Sequence, residues 1–476
     1  GPAKAAGASS IAIGSEASTS TDAELAIAIG AFSKGYGPTS IAIGNGASTT
    51  ADAAGGISLG VNSEVSGTGG IAIGNASKAV GESSLSLGSN AASGGMGSLA
   101  LGLNSVATTS ATNALAIGSD SYVGGAEGVA LGNMSSALGM KSIAIGSKAE
   151  IIDTEALGSI ALGSEISIAG AHAVGIGENI NITAGEQIFA GGYDITNTAG
   201  SKNLLLGNSM NNVEGDFNIL QGNKVTNTIG SNNLMQGNAI ANVSGNKNIL
   251  AGNNITNTLG SKNILAGNNV VTLGSRNLIL GNDIANSGAG SVVLGNAIIS
   301  NGGLNVAIGN AAEVGATTSI AIGNLAAVGA GASGAIAMGN GAGVGASAFG
   351  SIAIGNGAGA SLGKNQIAIG NNVGVKNDST IAIGDNSNAT EKGAIAIGAE
   401  TKASGQDALA MVSATASGKG SIAVGSETTQ ATQENAIALG TKATATAIGS
   451  IALGAETTAS GQDALAMVSA TASGKG

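Results

Sequence analysis

The chain has 476 residues with a formal net charge of −11, 83 Gly, 2 Pro, 3 Tyr, 4 Phe and no Cys or Trp. The lack of cysteine excludes a disulfide framework and thiolate metal sites. Arg276 is the sole arginine in an acidic chain, so the clustered cations that phosphate backbones require are missing.

In chain order, Gly1-Pro2 resembles the scar of a cleaved affinity tag. The first element is Ile11-Ala12-Ile13-Gly14, and its pattern returns at Ile41-Ala42-Ile43-Gly44, Ile71-Ala72-Ile73-Gly74, Ile143-Ala144-Ile145-Gly146, Ile320-Ala321-Ile322-Gly323 and Ile451-Ala452-Leu453-Gly454. Thirty-two copies align, mostly fourteen residues apart, with steps from thirteen to seventeen. A helical-hairpin repeat needs about thirty residues or more, which excludes helical solenoids. Fourteen residues accommodate two short strands and two tight turns. Alternating apolar positions give strand periodicity, Ile and Val favour the pleat, and the closing Gly marks a corner. Equivalent strands of successive coils are expected to pair in parallel, about 4.8 Å apart, giving a stack roughly 150 Å long. The expected fold class is therefore all-β: a parallel β-roll, or solenoid, of about 14–16-residue coils. Both faces of Ile-Ala-Ile are apolar. The expectation is that Ile fills the coil and Ala meets neighbouring copies, with cyclic closure as a homotrimer.

The seventeen-residue coil between Gly146 and Gly163 carries Ile151-Ile152, an insertion read as local packing rather than an exposed contact. His172 stands alone and reads as a turn or surface histidine without catalytic partners. From about Gln187 to Asn296 the strand becomes Asn-Leu-Leu-Leu-Gly-Asn at 203–208 and Asn-Ile-Leu-Gln-Gly-Asn at 218–223. The central alanine becomes Leu205, Leu220, Met235, Leu250, Leu265, Ile279 or Val293, while the third position becomes Gln221, Gln236, Ala251 or Ala266. Volume has moved across the strand, so the coil cross-section or the chain separation is expected to change near Phe189. Asn203, Asn218, Asn233, Asn248 and Asn263 are expected to stack at one corner, and Asn208, Asn223, Asn238, Asn253 and Asn268 at the other. Ile195-Thr196-Asn197-Thr198 recurs at Val225-Thr226-Asn227-Thr228 and Ile255-Thr256-Asn257-Thr258, on alternate coils. These rows read as structural ladders. Phe189, Tyr193 and Phe217 read as filling the seam where the coil changes shape. The division is 1–186, 187–300 (the Asn-rich variant) and 301–476. Gly398–Gly420 recurs at Gly454–Gly476 with Lys402 replaced by Thr458, which suggests a piece of a longer repetitive protein, cut within its head.

Ser40-Ile41-Ala42-Ile43-Gly44-Asn45 and Ser319-Ile320-Ala321-Ile322-Gly323-Asn324 resemble the YadA-like head repeat of trimeric autotransporter adhesins. The resemblance implies a left-handed roll assembled as a homotrimeric rod, displayed on the bacterial surface by a stalk and a C-terminal outer-membrane anchor that this sequence does not include. It implies a virulence-associated adhesin head. Its partners would be host matrix proteins (collagen, fibronectin or laminin), cell-surface receptors or other bacteria, engaged by many weak contacts. No nucleic-acid partner, cofactor, metal, catalytic residue or individual binding residue is assigned, and no enzyme activity is expected. A passive spacer projecting another domain is the alternative. An ice-binding solenoid fits less well, because its Thr rows would be broken.

Overall fold

The computed structural model describes residues 1–426 and 428–476. They form two compact units, Gly1–Ile240 and Ala241–Gly476. Among the described residues every regular element is a strand.

In the first part of the first unit, up to residue 137, each coil begins with a three-residue strand, such as Ile11–Ile13, Ile27–Ile29 or Ile41–Ile43, followed by a two-residue strand, such as Ser18–Thr19, Lys34–Gly35 or Ser48–Thr49. Pairing is parallel and in register, Ile27 to Ile41, Ala28 to Ala42 and Ile29 to Ile43, so like residues form columns. The short period and the solenoid expected from it are therefore observed. The reason for Gly at the strand end is steric as well as conformational. Gly44 has φ 140°, and a Cβ built there would collide with the carbonyl of Gly60 in the next coil.

The facing of the strand is the reverse of the expectation. Ala28, Ala42, Ala72 and Ala100 are fully buried, whereas Ile13 is 58% exposed and Ile43 39%. Alanine lines the coil and isoleucine faces out. A regular coil encloses only small side chains: Ser40, Ala42, Ala47 and Thr49 are all buried, and the Ser40 and Thr49 hydroxyls lie 2.7 Å apart. Two Ile per strand would not fit between walls that meet through Ala and Ser. Buried serines close the interior onto the corner carbonyls, as Ser33 does to Gly30 (2.9 Å) and Ser63 to Gly60 (3.0 Å).

The interior changes before Phe189. Ile151 is fully buried, and the strands Ile160–Ile168 and Val174–Ile182 already run nine residues. Here Ile166, Ile168, Ile180 and Ile182 enter the core opposite the small Ala161 and Gly175. Further on, Leu204–Glu214 and Ile219–Ile229 reach eleven residues, running through the Gly corner so that Gly207 pairs with Gly222 and Asn208 with Asn223. Leu205, Met210, Leu220 and Val225 fill these coils. The cross-section thus changes as expected, but its onset lies earlier than the sequence pattern indicated.

The second unit begins with the same wide coils. Ile249–Asn257, Ile264–Thr272 and Leu278–Asn286 are nine-residue strands whose Leu250, Leu265 and Ile279 point inward. From Ile320–Ile322 and Ala327–Val328 onward the three-plus-two pattern resumes, with Ala321, Ala326 and Val328 buried.

Candidate functional surface

Because Ala turns inward, each unit presents an outward column of large apolar residues. Ile57, Ile71, Leu85 and Leu99 stack at its first position, and Leu59, Ile73, Leu87 and Leu101 at its second. In the second unit Ile352, Ile367, Ile381 and Ile395 continue the same pattern. A contiguous apolar strip of this kind marks an interaction face. The second position is interrupted in the first unit, where Gln221 and Gln236 stack with a 2.5 Å amide contact. In the second unit it shrinks to Ala251 and Ala266. The volume transfer legible in the sequence is therefore real, but its bulk moved inward.

The second short strand offers a polar outward column. Ser48, Glu64, Lys78 and Ala92 follow one another. Lys78 and Glu64 pair at 3.7 Å, and Lys148 and Glu165 at 3.4 Å, both between exposed partners. Asn104 at 2.9 Å, and then Ser119 at 2.9 Å, donate to Asp120 and hold its carboxyl below the usual carboxylate range. Thr196 and Thr226 point outward on either side of Asn211, so the threonine row is broken.

The inner asparagine column forms as expected. Asn203, Asn218 and Asn233 are buried, and the Asn218 and Asn233 backbone amides donate to the side-chain oxygens of Asn203 (2.8 Å) and Asn218 (3.0 Å). A second buried column runs beside it and was only half visible in the sequence. Asn212 donates to Asn197 (2.8 Å) and Asn227 to Asn212 (2.7 Å), so the coils between the Thr-Asn-Thr motifs also contribute. In the second unit Asn257 continues the pattern by donating to Asn242. The signal was Asn212 itself, fifteen residues from both Asn197 and Asn227, hidden by its different neighbours. The outer asparagines stack where Asn253 donates to Asn268 and Asn268 to Asn282, both at 2.9 Å, on the exposed corner.

The aromatic seam is not observed. Phe189 is 39% exposed in the outward apolar column beside Leu204, Tyr193 faces outward beside Asn208, and Phe217 sits at a turn under the Lys202 ammonium, 4.9 Å from its ring centroid. The three occupy separate columns because the interior is closed by aliphatic residues. The inserted isoleucines divide: Ile151 enters the core and Ile152 is exposed. His172 is an exposed turn residue with φ 52°. Among the described residues no cluster of His, Cys, Asp and Glu could hold a metal ion, and no helix is long and apolar enough to cross a membrane.

Comparison with protein families places these coils. The YadA head domain repeat matches residues 22–47, 51–77, 66–91, 79–105, 93–121 and 124–149, and again 376–401, 389–411, 403–428, 431–457 and 445–467. These two blocks carry YadA head domain repeats, which support a YadA-like head domain there and suggest an adhesin-type function. The stretch between the two blocks, where the coil widens, is not matched. No curated protein matches the chain.

Proposed function

We propose that the chain is the head of a bacterial surface adhesin that assembles as a homotrimer along its outward apolar columns. The observation that carries this is the exposure of Ile, Leu and Val at equivalent positions on successive coils, beside a polar second face. The column side chains are half-buried already, so each contributes a fraction of the full-burial value of about 1.5–3 kcal/mol, and it is repetition over many coils that holds copies together. A left-handed hand, outer-membrane anchoring and a role in virulence belong to the same reading. So does the division into 1–186, 187–300 and 301–476. The polar faces then contact collagen, fibronectin, laminin, a cell receptor or another bacterium, each coil adding a weak site that repetition multiplies.

Two measurements test this. Sedimentation equilibrium is expected to give three copies, with Ile73→Ser and Leu101→Ser lowering the association constant while leaving the coil interior intact. Adhesion of the purified chain to cells and immobilised matrix proteins is expected to survive deletion of any one coil. A monomer at micromolar concentration defeats the assembly, and the absence of all adhesion favours a passive spacer.

A further inference from the structure

One corner of the second unit departs from the chain's acidic character. Lys247, Lys262 and Arg276 occupy equivalent turn positions on successive coils, with φ of 60°, 62° and 61°. The Lys262 amide donates to the Asn246 carbonyl and the Arg276 amide to the Ser261 carbonyl, both at 2.9 Å, so the cations stack directly. All three side chains are exposed and none forms an ion pair with a described residue. Between residues 241 and 290 the one acid is Asp283. It sits at the left-handed corner within the strand Leu278–Asn286 (φ 54°), where it accepts from Asn269 at 2.8 Å.

Hydroxyls complete the corner. Ser261 Oγ accepts the Asn246 amide and Ser275 Oγ accepts the Ser261 amide, each at 2.9 Å. Neither hydroxyl proton has an acceptor among the described residues, so both are available to donate. Ser261, Lys262, Ser275, Arg276 and Ala289 line a shallow cleft of about 290 Å³. The cleft thus offers two cations and two hydroxyl donors, with Lys247 one coil further on. It is suited to anionic oxygen, with an Arg fork able to hold two oxygens at once.

We propose that this corner binds a linear polysaccharide bearing acidic groups on successive sugars, lying along the stack. Coils repeat about every 4.8 Å, so the cations form a line that a polymer follows and a single small anion does not. A nucleic-acid duplex fits less well, because the row is one residue wide in a chain of charge −11. The proposal deepens the adhesive reading by naming a partner class. It does not depend on the trimer.

The test uses the full chain and immobilised heparin, with hyaluronan, dextran, inorganic sulfate and duplex DNA as competitors. Heparin is expected to bind and to elute with salt, hyaluronan to compete more weakly, and dextran, sulfate and DNA to compete poorly. The triple variant Lys247→Gln/Lys262→Gln/Arg276→Gln is expected to lose at least tenfold in affinity. The control Lys364→Gln/Lys392→Gln/Lys402→Gln, with the same change in charge, is expected to stay within twofold. An equal loss in both variants, competition by DNA as strong as by heparin, or no heparin binding overturns the site. So does a changed oligomeric state in the first variant, which would assign the corner to contacts between copies. Adhesion to cells and matrix is measured on the same samples. Heparin binding without adhesion defeats the adhesin reading alone, and adhesion without heparin binding defeats this site alone.

Discussion

The buried asparagine column makes a prediction that the outward chemistry does not. Asn212 is fully buried and takes part in five hydrogen bonds. It donates to Asn197 Oδ1 (2.8 Å), the Ala199 carbonyl (3.1 Å) and the Gly215 carbonyl (3.3 Å), and accepts from Asn218 (3.2 Å) and Asn227 (2.7 Å). At about 0.5–1.5 kcal/mol net per bond, and with the bonds not independent, Asn212→Leu should cost roughly 3 kcal/mol. Asn212→Asp keeps the shape but replaces the donating amide by a carboxylate oxygen, which turns an acceptor toward three acceptors. Burial and those acceptors raise the folded-state pKa of the new carboxyl above its unfolded value of about 3.9. The penalty is therefore absent below about pH 3.9 and grows by about 1.4 kcal/mol per pH unit until the folded pKa is reached. Because coils in a stack can open separately, the readout is hydrogen exchange of peptides covering residues 204–229 rather than a global melt. The leucine variant should exchange more than a hundredfold faster at every pH, 1.4 kcal/mol being a factor of ten. The aspartate variant should be strongly affected at pH 7 and much less at pH 4. Exchange within tenfold of the parent in both, or an aspartate effect independent of pH, refutes the ladder as a stabilising element.

Two further outcomes follow from the same interior. Gly44→Ala should cost about 2 kcal/mol or more in the surrounding coils, measured by local exchange, because the φ of 140° is strained for alanine and its Cβ meets the Gly60 carbonyl. Leu220→Ala should cost about 2–5 kcal/mol by leaving a cavity in a fully buried position, seen as lost protection of residues 219–229.

Periodicity was legible because it is a backbone property: a Gly-closed repeat of about fourteen residues admits few solutions, and parallel columns followed. The glycine corners and the column of Asn203 and Asn218 were legible for the same reason, since identical residues in register must meet. Facing was not. Ile-Ala-Ile alternates identically whichever side is buried, and the pattern alone does not state the width of the interior. Width depends on the opposite wall, where Ala47 and Thr49 face Ala42 across the coil. The aromatic positions misled for a related reason. A large residue at a change of shape suggests a filler, yet the change was already filled by Ile166, Ile168, Ile180 and Ile182. Nor does the pattern of alternate Thr-Asn-Thr motifs display Asn212, whose neighbours differ while its register does not.

The wide coils conserve filling by moving the small residue around the interior, and this can be tested by transplanting one coil's solution into another. In the coil 174–182 the first-strand position is Gly175, opposite Ile180 and Ile182. In the coil 204–214 the equivalent positions are Leu205, Met210 and Asn212. A Cβ on Gly175 would lie 3.1 Å from Ile166, 3.3 Å from Ile168 and 3.5 Å from Ile180, so there is no room for a leucine. Gly175→Leu alone should cost about 1–3 kcal/mol by overpacking. Ile182→Asn alone replaces a fully buried apolar side chain by an amide and should also destabilise the coil. Together they recreate the pairing of Leu205 with Asn212, and the new amide stands in register with Asn197, whose side chain it can accept from. The double variant should therefore be more stable than the sum of the singles by about 1 kcal/mol or more, read as coupling in a double-mutant cycle. Strict additivity would mean that Leu205 and Asn212 occupy independent sites, and that the interior is not filled as one volume.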